Sequence, residues 1–485
     1  MLARAVTHAL VGLEPRRVEV EAHLERGVPG FAIVGLADRA CQEAKHRVRS
    51  GVSSASLEWP LDRRITVNLA PAGLRKEGSS FDLSIALAVL AASRQIPAER
   101  LAEHAAVGEL ALDGRIRPVR GAFAVAEGAR SVGLDLILCA PESACEAELA
   151  GVQAVPVRHL GEAVAYLRGE LRPPPVEPPD EAVEPEPPDL ADVRGQERAR
   201  RVAAREQAGP RRSRSGLPRA PRRVRGAAGS PAAAVRASSS PFRAGRRARG
   251  CDPLQPQARA LVSRAPFRAP HHSASTAAIV GGGPGPRPGE ASLAHRGVLL
   301  LDELPEFQRP ALEALRQPLE DGMIAIARAT GQALFPARFQ LVATMNLCPC
   351  AGRGDPAAEC ACSPQRLAAF RDKLSRALLD RFDLVVTVPR PRAVELAAGP
   401  SESSQPVRAR VAQARTRLRE AAPARTKAAD ELLTRAVERL PLSGRGRSRV
   451  ARVARTVAAL AESDAVESEH VAEALAYRSP KELAA

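Results

Sequence analysis

No stretch of this chain reads G-x-x-x-x-G-K-[ST], the loop that cradles phosphates and sets a Lys against them. Its absence excludes a standard phosphate-loop nucleotide site. Aromatic residues make up only 3% of the sequence against an ordinary hydrophobic share, so the cores must be aliphatic. No run of 18 apolar residues occurs, and no transmembrane helix is expected. Met1-Leu2-Ala3-Arg4 leads into a mixed strand pattern, not an apolar secretion signal, which points to the cytoplasm. A disulfide framework is also missing. Of eight cysteines, Cys41, Cys139, Cys145 and Cys251 are scattered, while Cys348, Cys350, Cys360 and Cys362 form one tight group. In a long chain this suggests a metal site or reduced thiols.

Acidic residues are absent where basic ones are densest. Residues 207–250 hold twelve Arg and neither Lys, Asp nor Glu. Without those twelve the formal charge falls from +16 to +4. The basicity therefore belongs to one segment and does not describe a general nucleic-acid face.

At 485 residues the chain has room for two or three domains. Residues 1–168 read as a compact α/β domain. Strands are expected at Arg17–Ala22, Gly30–Val34, Ile65–Leu69 and Ala105–Leu112, with a turn at Asp113-Gly114 before Arg115–Val119. Helices are expected at Ala37–Val52, Phe81–Ala92 and Ala122–Val132. Residues 169–190 are a Pro/Glu-rich linker that cannot form a core. Residues 191–390 carry ordinary α/β patterning, except for an aberrant Arg-rich stretch at 203–258. Within 207–250 only Leu217, Val224, Val235 and Phe242 are large and apolar, too few to bury. That stretch is expected to be poorly packed and to lack a strand. Residues 400–485 have helical spacing.

Chemistry concentrates in Gly297-Val298-Leu299-Leu300-Leu301-Asp302-Glu303. An aliphatic run that ends in two carboxylates is how a buried parallel strand delivers acids to its C-terminal edge. Such an Asp can hold Mg²⁺, and the following Glu can align a water. A second strand, Arg338–Ala343, ends in Thr344-Met345-Asn346, where the Asn could touch a γ-phosphate; alone it would more often be a turn residue. Arg381 could reach a neighbouring subunit's nucleotide or simply pair with Asp380 or Asp383. Arg449 stands near the start of a helix whose apolar positions are Val450, Val453, Val457 and Leu460; it could meet phosphate or face solvent. Four thiolates in C-x-C, nine residues, C-x-C could close a tetrahedral zinc site or remain free thiols. Gly281-Gly282-Gly283-Pro284-Gly285 precedes no helix and reads as a flexible loop, and His271-His272 lacks neighbouring carboxylates in sequence.

These segments resemble a known family. PFRAPHH at 266–272, RPGEASLAH at 287–295, GVLLLDELPEF at 297–307, FPARFQLVATMN at 335–346, the CPC…CAC cluster and LLDRFDL at 378–384 are similar to magnesium-chelatase-like AAA+ ATPases of the YifB/ComM type. VPGFAIVGLADRA at 28–40 and RRITVNLAPAGLRKEGSSFDLSIAL at 63–87 resemble that family's Lon-protease-like N-terminal domain. The resemblance implies a multidomain α/β chain: a Lon-protease-like (ribosomal-protein-like) domain at 1–168, a P-loop AAA+ core at 191–390 and a C-terminal helical lid at 400–485. It implies ATP and Mg²⁺ as cofactors. Asp302 and Glu303 would be the Walker B pair, with Asp302 on Mg²⁺. Asn346 would be sensor 1, Arg381 the arginine finger and Arg449 sensor 2; Asp302, Asn346 and Arg449 would contact the nucleotide. It further implies a homo-hexameric ring that remodels single-stranded or branched DNA during recombination and natural transformation, without a membrane partner.

One element departs from the family. Its phosphate loop should fall near Gly216–Val224, where this chain reads Gly-Leu-Pro-Arg-Ala-Pro-Arg-Arg-Val, with no Lys and with prolines in place of backbone donors. Family-like spacing, alien composition and abrupt recovery at Pro266 are what two compensating frameshifts leave in a GC-rich gene. If the reading stands, the ATPase core is disrupted around 203–258, and the chain acts only as a DNA- or protein-binding module. A peptidase role for Ser80 fails on the same kind of test. Its Lys partner should open the helix after Gly121, where the chain reads Ala122-Phe123.

Overall fold

A computed structural model describes residues 1–11, 14–176, 189–193, 196, 199, 224–226, 265–283, 287–328, 331–353, 359–388, 393–397, 401–440 and 442–478. The chain divides into two compact units, whose described residues lie at 1–176 and 189–478.

The first unit is built on a mixed sheet. Its strands are β1 (Leu2–Val11), β2 (Glu14–Arg26), β3 (Gly30–Val34), β4 (Arg63–Ala70), β5 (His104–Ala106), β8 (Leu136–Cys139) and β9 (Gln153–Pro156). They lie in the order β3-β4-β2-β1-β5-β8-β9. β1 and β2 pair antiparallel from Leu2 opposite His23 to Val11 opposite Glu14. Alternation explains the strands: Val18, Val20, Ala22 and Leu24 of β2, and Ile65, Val67 and Leu69 of β4, turn one face into the core. Against that face lies the helix Asp82–Ala92, every residue of which is buried. Its sequence is apolar nearly all round, as a helix enclosed on all sides requires. At its first turn the buried Asp82 carboxylate accepts from the half-buried Arg47 through Nε at 2.6 Å and Nη2 at 3.0 Å, a bidentate contact.

Several sequence expectations shift here. The strand expected at Ala105–Leu112 breaks into β5 and a two-residue β6 (Glu109–Leu110), which pairs with β7 (Ile116–Arg117) about Asp113-Gly114. The helix expected at Ala37–Val52 divides into Arg39–Gln42 and Ala44–Ser54. Lys76, the lysine nearest Ser80 in sequence, is fully buried and donates to the Pro71 carbonyl, which leaves no base assigned to Ser80.

The second unit holds a wholly parallel sheet of β10 (Val224–Gly226), β11 (Phe267–Arg268), β14 (Val298–Leu301), β17 (Gln340–Ala343) and β18 (Phe382–Leu384), in the order β11-β14-β17-β10-β18. Small antiparallel pairs accompany it: β12 (Gly281–Gly282) with β13 (Arg287–Pro288), and β15 (Met323–Arg328) with β16 (Gly331–Pro336). Beyond β18, the helices Ser404–Glu420, Lys427–Arg439, Gly444–Leu460 and Ser468–Ala476 follow, with a short parallel pair β19 (Ala424–Arg425) and β20 (Ala465–Val466). Val450, Val453 and Val457 form the buried stripe of the helix Gly444–Leu460 and share a core with Leu384, Val386, Leu433 and Val471.

The expectation that the Arg-rich stretch contributes no strand is corrected. Val224, Arg225 and Gly226 pair with Leu341, Val342 and Ala343 on one side, and β18 lies on the other. A parallel ladder is made by main-chain groups, so three residues of almost any type can satisfy the neighbours' donors and acceptors. The rest of 203–258, including the expected phosphate-loop position at Gly216–Arg223, lies outside the described residues.

Candidate functional site

Because all five strands run the same way, their C-terminal ends share one edge. That edge receives His271 and His272 after β11, Asp302 and Glu303 after β14, and Thr344 and Asn346 after β17. β10 is first in sequence but fourth in space, so the strand order reverses beside β17. Parallel α/β sheets bind ligands at such a reversal, outside the carboxyl ends.

A close approach sets the strand β14. A Cβ on Gly297 would lie 1.9 Å from the Pro266 carbonyl oxygen, so only Gly lets β11 and β14 converge. Leu299 and Leu301 are buried, and the chain then turns sharply: Glu303 has φ of 54°, a left-handed conformation that costs a non-Gly residue about 1 kcal/mol. Such a local cost gathers at functional edges.

Thr344 ties the two strand ends together. Its hydroxyl donates to Asp302 Oδ1 and accepts from the Glu303 N–H at 3.0 Å, while its carbonyl accepts from the Leu304 N–H at 2.8 Å. The Asp302 carboxylate is thereby oriented but remains exposed. On the other side, His272 Nδ1 lies 3.9 Å from Glu303 Oε2, and the His271 and His272 ring centroids lie 4.0 Å apart with the planes tilted by 35°. Thr344 carries no signal of its own in the sequence, and the two histidines have no carboxylate near them there. The parallel register supplies both, placing residues remote in sequence on one edge. Asn346 is exposed two residues beyond Thr344.

The arginines stand otherwise. Arg381 is 9% exposed, donates to the Ala377 carbonyl and pairs with Glu320. Glu320 also accepts from Arg445 Nη1 at 2.9 Å. Arg381 thus pairs with neither Asp380 nor Asp383. Arg449 Nε lies 3.4 Å from the buried Asp383 carboxylate, with Arg452 at 3.9 Å from the same oxygen. Arg478 donates to the Phe382 carbonyl at 2.8 Å and lies 3.5 Å from Asp380. Burial holds the Arg449 guanidinium below the usual arginine range. Arg381 Nε, Arg449 Nη1 and Arg478 Nε are buried donors with no partner among the described residues. No hydrogen bond or ion pair among the described residues joins Arg381 or Arg449 to Asp302, Glu303 or Asn346.

Just past Asn346 the four thiols converge, all within 4.8 Å of one another. Cys348 is buried and Cys350 exposed. The Gly352 N–H and the neighbouring thiols bring Cys350 down to about 6, while burial pushes Cys348 up.

As to a nucleotide, the acidic edge has the donor set Mg²⁺ takes: an exposed, oriented carboxylate with a hydroxyl beside it. The phosphate side does not fit. The strand Val224–Gly226 is followed in sequence by Ala227-Ala228-Gly229-Ser230-Pro231, which again contains no Lys. No Lys anywhere in the chain follows a Gly.

Sequence comparison agrees with this division. Family models for the ChlI subunit of magnesium chelatase match residues 20–143, 251–396 and, for its C-terminal part, 417–478. An uncharacterized protein of Mycobacterium tuberculosis is 40% identical over 516 aligned residues, covering 98% of both chains. The Escherichia coli protein YifB, also described as uncharacterized, is 37% identical, covering 98% of this chain and 96% of its own. The competence protein ComM of Haemophilus influenzae is 38% identical over 99% of this chain and 97% of its own. The chain belongs to the magnesium-chelatase-like family of YifB/ComM type. None of the three family models reaches residues 144–250, the interval that holds the Arg-rich segment.

Among the described residues, no helix is long and apolar enough to cross a membrane.

Proposed function

We propose that this chain is built as a cytoplasmic, ring-forming AAA+ ATPase that remodels DNA, and that its ATP-binding half is lost in the sequence as read. The observation that carries this reading is the parallel edge on which Thr344 orients Asp302 beside Glu303. Asp302 is placed to hold Mg²⁺, which would neutralise phosphate charge; Glu303 is placed to orient a water and Asn346 to contact the terminal phosphate. Arg381 and Arg449 are the candidates for the finger and the second sensor, and the partnerless nitrogens of both could take phosphate oxygens. Arg381 would have to exchange Glu320 for that contact. The name of the Haemophilus relative supports a role in competence, hence in recombination with single-stranded or branched DNA. Residues 1–168 serve on this reading as a Lon-protease-like platform without peptidase chemistry, and 400–485 as a helical lid.

A second reading is favoured by the missing phosphate loop: a non-hydrolysing module that binds DNA or protein. Equilibrium binding of a fluorescent ATP analogue with Mg²⁺, together with turnover, separates the two. Micromolar affinity in the present chain would remove the second reading. Absent binding here, with binding restored once a G-x-x-x-x-G-K-[ST] loop is inserted after β10, would support the first. Absent binding in both would remove the first.

A further inference from the structure

We infer that Cys348, Cys350, Cys360 and Cys362 form a closed tetrathiolate site for a single zinc ion that braces the strand end carrying Thr344 and Asn346.

The spacing selects the occupant. Zinc–sulfur bonds of about 2.3 Å at tetrahedral angles put the sulfurs about 3.8 Å apart. Cys348 and Cys350 sulfurs lie 3.4 Å apart and those of Cys350 and Cys360 3.6 Å, with all four inside 4.8 Å. Those distances are too long for a disulfide bond and too short to enclose an iron–sulfur cluster. Among the described residues only sulfur donors converge, so a thiophilic ion is selected over Mg²⁺ or Ca²⁺.

The surroundings are those of a built site. The Arg353 backbone N–H donates to Cys348 Sγ at 3.2 Å, and Gly352 supplies another to Cys350. Such donors orient thiolates and spread their charge. Ala351 takes a left-handed φ of 59°, which turns the chain directly after Cys350 and brings the Arg353 N–H back to Cys348. The two arms meet without room to spare: a Cβ on Gly352 would lie 2.9 Å from the Glu359 carbonyl oxygen. Four protein ligands leave no open position, so the role is structural.

Its location gives that role a purpose. Thr344, which holds Asp302, and Cys348 are four positions apart, with Asn346 between them. An ion on Cys348 would therefore fix the far end of the segment whose near end is fixed by β17.

The test uses the full chain, purified without chelator and assayed for metal. Zinc bound in a single equivalent is expected, with the four thiols protected from alkylation until the ion is removed. After removal, Cd²⁺ should restore protection and give a thiolate-to-metal charge-transfer band. Cys350→Ser should lose the ion, whereas Cys145→Ser, outside the cluster, should keep it. Should Cys350→Ser fail to fold, Cd²⁺ titration of the unaltered metal-free chain carries the test. Iron retained in preference to zinc would overturn the choice of ion, and neither metal retention nor a Cd²⁺ band would overturn the site. Backbone hydrogen exchange over 344–353 should slow when metal binds; unchanged rates would overturn the bracing role. None of these readouts depends on ATP turnover, so the site can stand or fall apart from the proposed ATPase.

Discussion

Two strand ends of one parallel sheet differ sharply. β14 and β17 end in a linked set, Asp302, Glu303 and Thr344, whereas β10, next to β17 in the same sheet, ends at Gly226 with no phosphate-binding sequence after it. Both are held in the same parallel ladder, yet only one end carries chemistry. The comparison separates what a fold needs from what a site needs. A parallel ladder accepts three residues of little character, as Val224-Arg225-Gly226 shows. A phosphate cradle needs a Lys, a hydroxyl and free N–H groups at set positions, and no backbone geometry replaces them.

The sharpest way to break the comparison is to repair the poor edge. Genomic resequencing across codons 195–266 decides whether the repair is already present in the gene. A chain carrying G-x-x-x-x-G-K-[ST] after β10 should hydrolyse ATP, while the present chain should show no turnover above background. The expected gain is on the order of 10³-fold, and Asp302→Ala in the repaired chain should abolish it. Turnover by the unrepaired chain would show that the phosphate contacts come from elsewhere.

Next in size is the rich edge's dependence on Gly297. Gly297→Ala forces a Cβ to within 1.9 Å of the Pro266 carbonyl oxygen, and backbone cannot yield as a side-chain tip can. A loss of about 3 kcal/mol is expected in denaturant unfolding of the second unit. A change below about 1 kcal/mol would mean that β11 is free to move away.

How far the sequence disclosed this arrangement follows from the range of each interaction. Gly30–Val34, the helix Asp82–Ala92 and the acid-tipped strand at Val298–Leu301 were legible because periodicity and apolar runs are local signals. The division of Ala37–Val52 was not, because Asp38 caps one short helix and a second begins at Ala44. Asp302 and Glu303 were recognisable from their strand alone. The Thr344 contacts and the nearness of His272 to Glu303 were not, since they depend on the register between β14, β17 and β11. The Glu320 partner of Arg381 lies 61 positions away, and no spacing rule reaches that far.

A third prediction concerns His295, buried just before β14. Its Nδ1 accepts from the Arg338 N–H at 3.0 Å, while burial and the nearby Arg296 and Arg338 push its pKa down to about 3. The folded state therefore keeps it neutral, whereas the unfolded chain protonates it near 6.5. Between those values the unfolded state binds more protons, so stability falls as pH drops through 6.5 toward 3. Between pH 7.5 and 5 this single group should cost about 2 kcal/mol. His295→Asn, which can keep the acceptor without the titration, should flatten that part of the pH profile. His8, lowered to about 4 in the first unit, should leave a similar but separate dependence there.

The smallest effect probes the link that makes the rich edge rich. Thr344→Val keeps the β-branched shape on β17 but removes the hydroxyl that donates to Asp302 and accepts from the Glu303 N–H. Both groups are exposed enough for water to replace those bonds, so the stability cost should be only about 1 kcal/mol. The consequence for Mg²⁺ should be larger than the consequence for folding, because an untethered Asp302 must be ordered when the ion binds. In a chain with a restored phosphate loop, Thr344→Val should weaken Mg²⁺-dependent nucleotide binding by about tenfold while leaving Mg²⁺-free binding unchanged. Thr344→Ser, which retains the hydroxyl, should recover most of that loss. Equal weakening with and without Mg²⁺ would show that Thr344 supports the strand end as a whole and not the orientation of Asp302.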